Sequence, residues 1–262
     1  MHSAPHAAGV VRKLIGKGTS TWPNPLRDRR RTDEHPARTE PPASLNAFAL
    51  DNHRKFAGAV AAGWRAYDIT SDKATGIGTW SDEEVFAYLT KGHAMGRGTA
   101  AGSMGEAVDH SLSQMDPTDI RALVTYLRSI PAVASSEPAT IAPPAPASPK
   151  EGGAVADALG RKVFAQACVS CHSWTGISEL SPLATISGSR AVNDPTATNV
   201  AQAVISGTRR LTPGAMSMPA FGSTYTDTEI AAVANYVTGR FGSAPSKLTA
   251  KDVAELRGQT AH

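Results

Sequence analysis

Cys168-Val169-Ser170-Cys171-His172 is the stretch of this chain whose residue types and spacing could do chemistry. C-x-x-C-H is the attachment signature of c-type haem. Two thiols three apart on the last turn of a helix reach the two vinyl groups of one porphyrin edge and form thioethers. The next residue then falls under the iron, where its imidazole can ligate. A bare C-x-x-C could also be a redox dithiol or half of a zinc site. Zinc would need two further ligands at suitable spacing, and these are the only 2 cysteines in 262 residues. A redox dithiol of the thioredoxin type would follow a strand, and this region reads as helical. The motif therefore predicts one covalent haem c on Cys168 and Cys171, with His172 as an axial ligand.

A ligand for the opposite face is sought in the loop LTPGAMSMPAFG, residues 211–222. A thioether there raises the potential of the iron. Both Met216 and Met218 are candidates, and a methionine in such a loop can also simply fill a gap in the core. Met218 is preferred because Pro219 and Phe221 can fix the chain around it, with Met216 as the alternative. An iron-ligating histidine needs an acceptor for its other ring nitrogen. The carbonyl of Pro182 is the expected partner of His172.

These residues require helices to hold them. A helix through Leu159, Val163 and Phe164 delivers the chain to Cys168, and Thr226 with Glu229 caps a final helix whose apolar face is Ile230, Val233, Ala234 and Val237. Residues 152–242 thus read as one ordered unit, followed by a tail over 243–262. A second unit spans 45–131. There Ser81 and Glu84 make a capping box for a helix that stops at Gly92, and Asp116-Pro117 opens another through Ile120, Val124 and Leu127. Between the units, residues 132–151 are rich in Pro and Ala and read as a linker spanning up to about 60 Å in polyproline geometry. Residues 1–44, with Arg, Pro, Thr and His and no sustained period, are expected to be disordered and non-native.

The two units share a register. VFAYLTKG at 85–92 lines up with VAQAVISG at 200–207, a methionine follows each glycine at Met104 and Met218, and a helix bearing Tyr126 or Tyr236 comes next. The fold class is expected to be mainly α, a helical haem domain preceded by an incomplete copy of itself that lacks C-x-x-C-H. Met104 would be a distal ligand with no haem, and the front copy is expected to depend on packing against residues 152–242 or a partner subunit.

Residues 152–242 resemble a class I cytochrome c in Gly160-x-x-x-Phe164, CVSCH, Met218-Pro219 and the aromatic of the last helix. The resemblance implies that Gly160 lets the first and last helices cross closely, with Phe164 against Tyr236. The front unit is similar, through DNHRKFAG (51–58), ITSDKATGIGTWSDEEV (69–85) and YLTKG (88–92), to the middle haem domain of the three-haem cytochrome subunit of bacterial membrane-associated alcohol, aldehyde and gluconate dehydrogenases. It covers about residues 46–262. That family has three C-x-x-C-H motifs and this chain one, which implies a truncated or frame-shifted product.

What the resemblance implies is electron transfer rather than catalysis. A dehydrogenase catalytic subunit would donate electrons, and quinone or another cytochrome would accept them. Such proteins work in the periplasm or on the periplasmic face of the inner membrane. The opening residues give no export signal, since Arg12 and Lys13 split the apolar Val10, Val11, Leu14 and Ile15. A free-standing monohaem cytochrome is the first alternative, and a haem sensor or peroxidase the second. A net charge of +3 gives no argument for nucleic acid, and no apolar run is long enough to span a bilayer, so any membrane association would come through partners.

Overall fold

A computed structural model describes residues 55–133, 158–211 and 215–260. The disorder expected of residues 1–44, and most of the 132–151 linker, lie outside the described residues. From Asn52 onward the chain forms one contact unit containing two apolar cores.

The haem-motif half is built on a helix crossing. Helix α4 (Ala158–Val163) runs into a π-helical turn, Phe164–Cys168, and then α5 (Val169–His172). It crosses α8 (Asp227–Phe241) at Gly160, where an added Cβ would enter the Ala232 carbonyl oxygen and stand 2.8 Å from Tyr236 Cβ. Only a glycine allows that approach. Phe164, fully buried, packs with its ring 5.5 Å from that of Tyr236, as the resemblance implies, and 5.4 Å from that of Phe241. The capping box of α8 forms as expected: Glu229 N–H donates to Thr226 Oγ1 and Thr226 N–H to Glu229 Oε2. Helices α6 (Arg190–Asn193) and α7 (Thr198–Ser206) complete this core through Val192, Val200 and Ala201.

The C-terminal segment is not a tail. Helix α9 (Ala250–Thr260) buries Val253 and Leu256 in the same core. Arg257 fastens it, pairing with Asp227 at 2.5 Å and donating to the Tyr225 carbonyl at 2.7 Å. The sequence of α9 is largely polar, and its two inward residues are too few to set a clear period.

The front half contains more strand than expected. Strands β1 (Ala59–Ala61) and β2 (Trp64–Ala66) form a hairpin whose turn, Ala62-Gly63, has φ of 48° and 75°. Positive φ at both turn positions matches the right-handed twist of a two-residue hairpin. Helix α1 (Asp82–Lys91) has the expected capping box and ends on Gly92 at φ 69°. Strands β3 (His93–Ala94) and β4 (Gly98–Thr99) follow, then α2 (Gly102–His110) and α3 (Pro117–Arg128). Ser81→Ala should cost about 1 kcal/mol, the usual value of a lost N-cap; a fall in urea midpoint with unchanged slope would register it.

Helices α1 and α7 both end on a glycine at φ 69°, but with ψ of 17° at Gly92 and −173° at Gly207, and the residue after each enters an antiparallel pair: His93 with Thr99, and Thr208 with Met218. Met104 does not occupy the place of Met218. It lies on α2, packed against the front core of Val85, Leu89, Ile120 and Val124. The front chain closes its pair four residues after the turn begins, so its methionine falls into the next helix.

The halves are joined by buried polar contacts. Asn199 on α7 accepts from Arg65 N–H at 2.8 Å and donates to the Arg65 carbonyl at 2.9 Å. Asp194 takes the Tyr67 hydroxyl at 3.1 Å and the Arg65 guanidinium at 3.5 Å. Burial first, then the neighbouring Asp194, pushes the Tyr67 hydroxyl well above its ordinary range, so it stays a donor. Arg210 and Asp109 pair at 2.8 Å with side chains 3% and 1% exposed.

Candidate functional site

The π-helical turn places the thiols. It carries an extra residue relative to an α-helical turn, which rotates Cys168 in the register while Phe164 keeps its place in the core. Cys168 and Cys171 are free, partly buried thiols. Burial, with Cys171 adding to it, raises the Cys168 thiol to about 11. A redox dithiol needs the opposite, a thiol lowered towards neutrality by positive surroundings.

His172 ends α5, and Ser173 turns the chain away with φ 62°. The loop that follows folds back on itself, with the Ile186 and Ser187 N–H groups both donating to the Gly176 carbonyl. This return brings the Ala184 carbonyl 2.6 Å from His172 Nδ1. A carbonyl only accepts, so Nδ1 carries the proton and Nε2 holds the lone pair. Burial lowers the His172 pKa, partly offset by that contact, so the ring is neutral and able to ligate.

The acceptor is Ala184, and not Pro182 as the sequence suggested. Ser181 caps a short 3-10 turn over Pro182–Ala184, and the Pro182 carbonyl is taken by Thr185 N–H at 3.0 Å. A turn that closes on its first carbonyl leaves its last one facing outward, and Ala184 is that residue.

Met218 sits across an antiparallel pair from Thr208, each N–H donating to the other's carbonyl at 2.9 Å. Gly207 makes room: its Cβ would lie 2.5 Å from the Met218 carbonyl oxygen and 2.8 Å from Ala220 N. Beyond it, Phe221 and Gly222 donate to the Val204 and Ile205 carbonyls at the end of α7. Met218 and Cys168 both pack against the core of the haem-motif half. Met216 is partly buried and has no place in that cluster.

The donor set fits a porphyrin. Two adjacent thiols and a neutral imidazole with its second nitrogen fixed are present, and among the described residues no group of three His, Cys, Asp or Glu could hold a bare metal ion. Cys168, Cys171 and His172 would hold the haem, and Met218 stands on the loop that would cover it. Sequence reasoning missed the π turn and the Ala184 carbonyl, for which no residue pattern gives a signal.

A C-x-x-C-H turn following a helix that crosses α8 at a glycine, with a methionine loop ahead of α8, defines a cytochrome c domain. Residues 155–237 match the family described as cytochrome C oxidase, cbb3-type, subunit III, an electron-transfer domain and not a catalytic one.

Similar proteins extend over more of the chain. The fructose dehydrogenase cytochrome subunit of Gluconobacter japonicus is 34% identical over 222 residues, 77% of this chain and 45% of that protein. The gluconate 2-dehydrogenase cytochrome c subunit of Pantoea cypripedii is 32% identical over 210 residues, 74% of this chain and 45% of that protein. The alcohol dehydrogenase (quinone) cytochrome c subunit of Gluconacetobacter polyoxogenes is 26% identical, covering 76% and 44%. The chain spans about half the length of these relatives. Among the described residues no helix is long and apolar enough to cross a membrane.

Proposed function

We propose that this chain passes electrons through a single covalent haem c, attached at Cys168 and Cys171 and ligated by His172 and Met218. The observation that carries the reading is the fixed tautomer of His172. A partly buried imidazole held through Nδ1 by the Ala184 carbonyl, one residue after a Cys pair, presents a basic Nε2 where an axial ligand must stand. The haem supplies a centre that gains and loses one electron. The protein attaches it, orients His172, and holds Met218 in a bridged loop.

The electron donor is a dehydrogenase catalytic subunit and the acceptor a quinone or another cytochrome, in the periplasm or on the periplasmic face of the inner membrane. The relatives' names, cytochrome subunits of fructose, gluconate and quinone-named alcohol dehydrogenases, support the dehydrogenase partner. Residues 45–131 act as a haem-free cytochrome c-like domain docked on the haem domain. A helix that ends on a glycine of positive φ and leads into an antiparallel pair, as α7 does, supports that reading.

Haem stoichiometry by pyridine haemochrome should give one per chain. Met218→Ala should abolish the weak near-infrared band of sulfur-to-iron charge transfer, lower the potential and open the reduced protein to carbon monoxide. Met216→Ala should leave all three nearly unchanged. The reverse pattern would transfer the ligand to Met216, and carbon monoxide binding by the unaltered protein would favour a sensor or peroxidase.

A further inference from the structure

The loop that carries Met218 is held from the other half of the molecule. Asp109, at the end of α2, is a buried carboxylate that makes two contacts with the outgoing limb of that loop. One oxygen pairs with Arg210 Nη2 at 2.8 Å, and the other accepts the Leu211 N–H at 2.8 Å. Arg210 N–H in turn donates to Ser217 Oγ at 2.9 Å, one residue before Met218. With the Thr208–Met218 pair, these contacts run as a chain of bonds from α2 to the methionine.

Arg210 depends on the front half for its place. Its guanidinium lies against Gly92, where an added Cβ would stand 2.7 Å from Nη2, and Nη2 also reaches the Lys91 carbonyl at 3.4 Å. Its Nε and Nη1 are buried and have no hydrogen-bond partner. A buried charge that loses its partner is strongly destabilised. The Asp109–Arg210 pair holds only while Arg210 stays against α2, so displacing Arg210 costs the pairing of a buried guanidinium.

We propose that Asp109 is a positioning residue for the distal methionine, holding Arg210 and Leu211, and through the Arg210–Ser217 bond the residue before Met218, so that Met218 keeps its place. This rests on the reading of Met218 as the axial ligand. A thioether is a weak ligand, and its occupancy depends on how little freedom its loop has when it lets go. Without the clamp Met218 is held less firmly, and external ligands compete better.

The test uses the full haem-loaded chain and imidazole as the competing ligand. Asp109→Asn keeps the size of the side chain and removes the charge. It should weaken the near-infrared methionine band and tighten imidazole binding to the oxidised protein about tenfold, within the usual range of coupling between linked sites. Asp194→Asn loosens an equally buried contact between the halves away from the loop, and should move neither readout. If Asp109→Asn fails to accumulate with haem, Asp109→Asn with Arg210→Gln leaves no unpaired charge and carries the same expectation. Unchanged imidazole binding in the clamp variant, or equal changes in Asp194→Asn, overturns the proposal. An unaltered protein without the methionine band would instead remove the Met218 reading, and the clamp with it.

Discussion

Replacing Cys168 and Cys171 together with alanine is expected to remove all haem that survives denaturing gel electrophoresis. These are the only 2 cysteines of the chain, so no other thioether can form. The variant also separates attachment from ligation. His172 keeps its Ala184 contact and Met218 its bridge to Thr208, since neither involves a thiol. The haem therefore becomes a dissociable ligand, and thermal stability becomes dependent on added haem, following the logarithm of its concentration. Haem staining equal to that of the unaltered chain would refute the attachment site. A melting temperature indifferent to added haem would show that the axial pair cannot hold the group without its thioethers.

Phe164→Ala should be the most damaging single change in the core, costing about 3–5 kcal/mol. The ring is fully buried and meets three others, Trp174 at 5.7 Å, Tyr236 at 5.5 Å and Phe241 at 5.4 Å. It stands beside the crossing at Gly160, where the helices are too close to collapse further, so the cavity left behind cannot close. It also begins the π turn that orients Cys168, so haem attachment should fall along with stability. Urea unfolding of the haem-loaded protein would show a lower midpoint at nearly constant slope. A loss under about 1 kcal/mol would mean the site relaxes, contrary to the close crossing.

The sequence by itself determined the elements with local causes. Capping boxes at Ser81 and Thr226, the Asp116-Pro117 start and the glycine stop at Gly92 all form where they were read, because a cap involves residues within one turn. The C-x-x-C-H motif was legible for the same reason: its spacing is local covalent geometry. Phe164 was legible as an apolar position of its helix, but the crossing at Gly160 and the contact of Phe164 with Tyr236 were legible only through the resemblance to a known family.

The tertiary structure decided what depends on residues distant in the chain or on polar backbone groups. Ala184 rather than Pro182 faces His172 because the direction of a carbonyl follows from how a loop closes, and no side chain records it. Helix α9 joins the core through two residues and an arginine reaching back to the start of α8, a pattern too sparse to stand out from a polar tail. Met104 shares the repeat register yet lies on a helix, because the front pair closes sooner than the one at Met218. Asp109 reads as one acidic residue near a helix end. Its meeting with Arg210 and Leu211, about a hundred positions away, exists only once the two halves are packed, because burial is what makes that pairing necessary.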